Sequence, residues 1–297
     1  MIHRSKLVFT GSLVALITPF SDGAVDFETL DELIDFQLRS GTDGIVPVGT
    51  TGESPTLSHE EHKQVIEHVV KAVAGKVPVI AGTGSNSTAE AIELTAFARK
   101  IGADASLQVT PYYNKPTQEG FFQHFKAIAE EVDLPVVLYN IPGRCGAGMT
   151  ADTVVRLAAV ENIVAVKEAT GMLDMSSDIA SRCDLTILSG DDSLTLPIAS
   201  VGGKGVISVV ANIVPADVKA MTDLILEGDF VSARKWHNKL FALCRSLLGL
   251  STNPIPIKAA MEMLNLAPGE MRLPMTPLED SQRAKLAQIL KDYGLLK

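Results

Sequence analysis

The chain has 297 residues, 46% of them hydrophobic and 21% charged, with a net charge of -9, which is the profile of a soluble globular protein with material for one large core or two smaller ones. The acidic balance, without any run of five or six lysines and arginines, argues against nucleic acid and against an anionic membrane surface as partners. Cys145, Cys183 and Cys244 show no paired spacing, so neither a disulfide framework nor a zinc site is expected, no metal is implied, and the chain reads as a reduced, cytoplasmic protein.

At the N-terminus, His3, Arg4 and Lys6 precede the apolar stretch 7–20 in the order of a signal peptide. Thr10, Gly11, Ser12 and Thr18-Pro19 interrupt that stretch and no A-x-A site follows, so S-L-V-A-L-I-T-P is read as a first strand. Short runs rich in Val, Ile and Leu then recur, giving expected strands at 13–17, 44–48, 77–81, 105–109, 136–139, 163–167, 185–188 and 206–209. Between them lie helix starts: Asp26 before F-E-T-L-D-E-L-I-D-F, Ser58 with Glu61 as a capping box, Ser87 or Thr88 before A-E-A-I-E-L, and Thr117 before Q-E-G-F-F-Q-H-F. Near-continuous apolar strands covered by crossover helices form parallel sheets, and eight such units suit a closed barrel better than an open sheet. The G-x-G-x-x-G fingerprint of dinucleotide binding is missing after the first strand. After Pro215 the alternation stops, and helical patterns at 230–250, 257–264 and 279–293 follow, separated by proline-rich stretches. The expected architecture is α/β: a (β/α)8 TIM barrel catalytic domain over residues 1–225 with a C-terminal helical extension over 226–297.

In such a barrel the chemistry sits where strands end. Lys167 ends the sixth run, I-V-A-V-K, where an ammonium is costly unless it is paired or sheds its proton. Glu168 alternates to the opposite face and is no ready partner. Tyr139 ends the fifth run, one strand spacing of about 4.8 Å away, and Thr50 and Thr51 follow the second in V-G-T-T-G-E. A desolvated lysine amine attacks ketones and aldehydes to form an imine, which withdraws electrons from the adjacent carbon. Such a site needs a proton shuttle, which a tyrosine supplies, and hydroxyl and N–H donors for a keto acid's carboxylate, which Thr50, Thr51, Gly52 and the S-G-D-D turn at Gly190 supply. The competing readings are an ordinary strand-end ion pair for Lys167, a core aromatic for Tyr139, and steric need alone for the glycines.

The motifs G-T-T-G-E-S (49–54), T-P-Y-Y-N (110–114), Y-N-I-P-G-R (139–144), V-K-E-A-T-G (166–171) and S-G-D-D (189–192) together resemble the 4-hydroxy-tetrahydrodipicolinate synthase family, within the N-acetylneuraminate lyase/class I aldolase superfamily, and the resemblance runs over essentially the whole chain. It implies a cofactor-independent enzyme that condenses pyruvate with aspartate semialdehyde on the route to diaminopimelate and lysine. It further implies Lys167 as the imine-forming residue, Tyr139 as general acid-base, and Thr50 as the link from Tyr139 to Tyr113 of a neighbouring subunit. Thr51 and the backbone around Gly190 would hold the pyruvate carboxylate, Arg144 the semialdehyde carboxylate, and the Ile207 carbonyl would lie beside the amine. The implied assembly is a homotetramer, a dimer of dimers.

An L-lysine effector is implied as well, held at the dimer interface by Ser54, Pro55, His59, His62, Asn86, Glu90 and Tyr112, with proline at 55 where alanine is common in the family. Pyruvate-dependent sugar-acid aldolases of the same superfamily share the lysine, the tyrosine and the glycine loop, and Arg144, the second threonine and the Tyr112-Tyr113 pair favour the synthase pattern. Two further alternatives are a non-catalytic ligand-binding barrel, which would be expected to lack Lys167 or Tyr139, and a phosphate-binding barrel using V-G-G-K-G-V-I-S near the eighth strand.

Overall fold

The computed structural model describes residues 9–297; the basic residues His3, Arg4 and Lys6 lie outside them. The barrel strands are β1 (Gly11–Ala15), β2 (Gly44–Val46), β3 (Ile80–Gly82), β4 (Ala105–Val109), β5 (Val136–Asn140), β6 (Ile163–Glu168), β7 (Thr186–Ser189) and β8 (Gly205–Ser208). They form one parallel sheet in the order β2-β1-β8-β7-β6-β5-β4-β3. A parallel bridge between Ile45 and Val79, with the Ile45 N–H donating to Pro78 O at 3.0 Å, joins the two ends and closes the barrel. All eight strands fall on the expected runs, β4 with the expected bounds and the others with ends displaced by at most three residues. Among the described residues, no helix is long and apolar enough to cross a membrane.

The helices α1 (Phe27–Arg39), α2 (His59–Val73), α3 (Thr88–Ile101), α4 (Gln118–Glu131), α5 (Ala151–Leu157), α6 (Leu173–Arg182), α7 (Thr195–Ser200) and α8 (Pro215–Glu227) follow the strands in turn. Four of them start at the expected caps. Asp26 accepts from Thr29 N–H, Ser58 and Glu61 make the reciprocal capping box, Ser87 rather than Thr88 caps α3, and Thr117 caps α4. Helix α8 is not among the expected helices: the alternation continues for one more helix past Pro215, which serves as its first residue. The extension is α9 (Phe230–Gly249), α10 (Ile255–Met263) and α11 (Asp280–Tyr293).

Strand side chains alternate between two dry layers. Leu13, Ala15, Val46, Ile80, Ala105, Leu107, Val137, Ala165, Leu188 and Ile207 fill the barrel interior, while the opposite faces pack on the helices. The register pairs Tyr139 with Lys167 and Asn140 with Glu168 across β5 and β6. Tyr139 and Lys167 therefore share the inward face at the carboxyl end of the barrel, above a floor of aliphatic side chains, and Glu168 turns outward.

Candidate active site

Lys167 is 6% exposed and Tyr139 5%, and the lysine Nζ lies 4.2 Å from the centroid of the tyrosine ring. Burial holds the Lys167 pKa down from 10.5 to about 7, with the Asp192 carboxylate pulling it up and the Arg144 charge adding to the depression. Near neutrality a large fraction of the amine is thus free and nucleophilic. Burial likewise pushes the Tyr139 phenol up to about 12, against the opposing effects of Arg144 and of the hydrogen bond to Thr50. The phenol therefore stays protonated and is ready to donate. Glu168, facing away, accepts from the Thr170 N–H at 2.6 Å and from its hydroxyl, so it neutralises nothing at the lysine.

Gly190 is needed for space. A Cβ there would stand 2.7 Å from the Ala169 Cβ and 3.1 Å from the Lys167 Cε, so only glycine lets the turn after β7 close over the lysine stem. Its N–H donates to Glu168 O at 2.7 Å, which leaves the absent side chain as the contribution of Gly190 itself. Asp192, two residues on, is buried and accepts from Ser208 Oγ at 2.5 Å, Val209 N–H at 2.9 Å and Val210 N–H at 3.2 Å. It pins the turn that follows Ile207, whose side chain is buried in the barrel interior. The sequence reading missed Asp192; the second aspartate of S-G-D-D was the available signal.

Thr51 and Arg144 meet through a residue that was also missed. Asn253, in the link between α9 and α10 of the extension, donates from Nδ2 to Thr51 Oγ1 at 3.0 Å, and its carbonyl accepts from the Arg144 guanidinium at 3.0 Å. Arg144 is carried by a single helical turn, Pro142–Cys145, directly after β5. Tyr113 is not among the residues lining the cavity that Thr50 and Tyr112 share; it is 89% exposed, with φ of +70°.

Thr50, Tyr139 and Arg144 line a cavity of about 390 Å³, and Ser54, Pro55, His59, His62, Glu90 and Tyr112 line the same cavity. At its far end His59 Nε2 meets Glu90 Oε1 at 2.9 Å, Ser85 donates to the other Glu90 oxygen, and Tyr112 hydrogen-bonds Ser85. His62 lies 2.7 Å from Gly82 O through Nε2, and burial lowers its pKa. Asn86 is not among the residues lining this cavity; its Nδ2 donates to Tyr112 O at 3.2 Å.

The phosphate-binding alternative is placed at the wrong end. Gly202, Gly203 and Gly205 lie at or before the start of β8, opposite the end that carries Lys167. Their smallness answers packing: a Cβ on Gly205 would stand 2.3 Å from Gly11 O, and one on Gly203 2.7 Å from Ile198.

Comparison with known proteins agrees with this geometry. Over 291 residues the chain is 53% identical to the 4-hydroxy-tetrahydrodipicolinate synthase of Geotalea uraniireducens, covering 97% of this chain and 100% of the relative. The chloride-inhibited dihydrodipicolinate synthase of Acinetobacter baumannii complexed with pyruvate has a TM-score of 0.95 to this structure at 45% identity, covering 97% of this chain and 100% of that one. The dihydrodipicolinate synthase of Cyanidioschyzon merolae with lysine bound reaches 0.93 at 43% identity, again over 97% and 100%. With residues 8–293 matching it as well, the chain belongs to the dihydrodipicolinate synthetase family.

Proposed function

We propose that this enzyme condenses pyruvate with L-aspartate 4-semialdehyde to 4-hydroxy-tetrahydrodipicolinate, through an imine on Lys167. The observation that carries the reading is the buried Lys167 amine, held down to about pH 7 and lying 4.2 Å over Tyr139. The free amine attacks the pyruvate carbonyl carbon and water leaves, forming the imine. The imine draws electrons from the adjacent methyl, which gives up a proton to become an enamine; the enamine carbon attacks the aldehyde carbon, whose oxygen takes up a proton, and the amino group of the semialdehyde then adds to the regenerated imine carbon and displaces the Lys167 amine, closing the ring and freeing the enzyme. Tyr139 with Thr50 is the acid-base group beside these proton transfers, with Tyr113 of a neighbouring subunit completing the relay. Thr51 holds the pyruvate carboxylate, the S-G-D-D turn, its Gly190 N–H spent on Glu168 O, gives the room in which the lysine stem and the keto acid lie, the Ile207 carbonyl lies by the amine, and Arg144 meets the semialdehyde carboxylate as a charge-assisted pair.

Borohydride reduction in the presence of pyruvate should add a reduced pyruvyl mass to the peptide containing Lys167; labelling elsewhere, or none, rejects the mechanism. Steady-state assays with aspartate semialdehyde against sugar-acid cleavage then decide the branch of the superfamily, and dominant sugar-acid cleavage would reassign the chain.

L-lysine is the proposed effector, at Ser54, Pro55, His59, His62, Asn86, Glu90 and Tyr112. Glu90 offers a carboxylate to an ammonium, in exchange for the His59 contact it makes in this chain. The relative with lysine bound supports this choice. Glu90→Ala should raise the half-inhibitory lysine concentration about tenfold or more; unchanged inhibition would move the site. A cytoplasmic homotetramer, built as a dimer of dimers, is the assembly that brings Tyr113 to a neighbouring Thr50, and sedimentation of a fully active monomer would contradict it.

A further inference from the structure

Lys258 sits in α10 with no accessible surface, in the apolar run I-P-I-K-A-A-M. Its Nζ meets Glu53 Oε1 at 2.5 Å, donates to Thr18 O at 2.9 Å, and lies 4.3 Å over the Phe20 ring. Glu53, 2% exposed, is the last residue of G-T-T-G-E, and its other carboxylate oxygen accepts from the Arg272 N–H at 3.3 Å. Its backbone is left-handed, at φ of +54°, a conformation that a residue with a long side chain adopts only when its surroundings hold it there.

These contacts converge on one loop. The Glu53 N–H donates to Thr50 O at 3.1 Å, and Thr18 Oγ1 donates to Gly52 O at 2.7 Å, while the Thr18 carbonyl is the second acceptor of Lys258. Five residues before Lys258, Asn253 holds the Thr51 hydroxyl. The loop after β2 is thus gripped at Thr51, Gly52 and Glu53 by the extension and by the segment after β1. A buried ion pair is a costly way to fill space, since apolar side chains of similar volume generally serve stability as well. What the pair adds is direction: a short, charge-assisted contact fixes where the loop stands relative to α10.

We infer that Lys258 and Glu53 are positioning residues of the active site, an ion pair through which the C-terminal extension holds Thr50 toward Tyr139 and Thr51 in place for the carboxylate of the keto acid. This rests on the reading of Lys167 and the 49–53 loop as the pyruvate site. The pair touches no substrate, and its effect is preorganisation: with it intact, the hydroxyls stand ready before the ligand arrives.

The test compares wild type, Glu53→Asp and the Lys258→Met/Glu53→Gln double variant, recording the melting temperature of each. For each, the pyruvate concentration that half-saturates borohydride trapping is measured alongside the maximal extent of trapping. Aspartate keeps both charges and tolerates the left-handed backbone, but is one methylene short, so the loop must shift or lose the contact. The double variant removes both charges at similar volume. Half-saturation should rise about tenfold or more in both variants at a nearly unchanged melting temperature, with full trapping still reached at high pyruvate. Should the double variant fail to fold, Glu53→Asp decides. Folded variants whose half-saturation stays within about twofold of wild type would overturn the inference, because a purely structural pair leaves that value unmoved. Absence of trapping in wild type would sink the Lys167 reading and the inference with it. Normal wild-type trapping with unshifted variants sinks the inference alone.

Discussion

Lys167 and Lys258 are both buried, and each lays its ammonium over an aromatic ring, at 4.2 Å from Tyr139 and 4.3 Å from Phe20. They differ in what answers the charge. Lys258 has Glu53 at 2.5 Å and a carbonyl beside it, whereas among the described residues the one carboxylate that raises the Lys167 pKa is Asp192, which is itself spent on the turn after β8. Burial lowers the pKa of both, and at Lys258 the Glu53 carboxylate works against it. Desolvation alone therefore does not make a nucleophile; desolvation without compensation does. One lysine is a fastener and the other a reagent, and the carboxylate within reach separates them.

The contrast breaks most directly at Lys167. Lys167→Ala should lower condensation by about a thousandfold or more and abolish the trapped pyruvyl mass. Label appearing on the peptide with Lys258 instead would reverse the assignment. At Lys258 the damage should be to stability: Lys258→Met strands a buried Glu53 charge and should cost about 3–5 kcal/mol in denaturant unfolding, with much of it recovered on adding Glu53→Gln. Equal destabilisation by the single and double variants would mean that packing, not charge, is what the pair supplies.

A third prediction uses pH. Because the folded-state pKa of Lys167 is depressed, its reactive form grows as pH rises through about 7, so the initial trapping rate should climb about tenfold from pH 6 to pH 8 and then level off. A rate still climbing at pH 10 would show an ammonium protected as a paired lysine is. The smallest effect belongs to an exposed pair, Lys71 with Glu67 at 2.6 Å, whose side chains are 73% and 41% exposed. Lys71→Ala should change stability by less than about 0.5 kcal/mol and lose even that in high salt, which sets the scale against which Lys258 is judged.

The eight strands, four helix starts and the Lys167-Tyr139 pair were legible because each is written locally. Period-two and period-3.6 patterns and capping residues lie within a few positions of what they specify, and strand-end residues on consecutive strands become neighbours once the barrel is assumed. Lys258-Glu53 and Asn253-Thr51 were not legible, since their partners lie 205 and 202 residues apart and no local pattern joins them. One half of the signal was there. Lys258 interrupts an apolar run just as Lys167 ends one, and the same question about an unpaired ammonium applied to it. Helix α8 went unread because Pro215 looked like a terminator, when at a first helical position it costs no hydrogen bond.

The continuous cavity from Tyr139 to Glu90 has a thermodynamic consequence. The loop from Thr50 to Pro55 contributes to the wall at both ends, with only four residues between them. A zwitterion bound between Glu90 and Ser54 would lie against the same short stretch of backbone that presents Thr50 to Tyr139. Linkage then requires reciprocity: the factor by which such an effector weakens pyruvate binding is the factor by which bound pyruvate weakens the effector. Calorimetric titration of either ligand in the presence of the other measures one coupling energy from two directions, and the two values must agree.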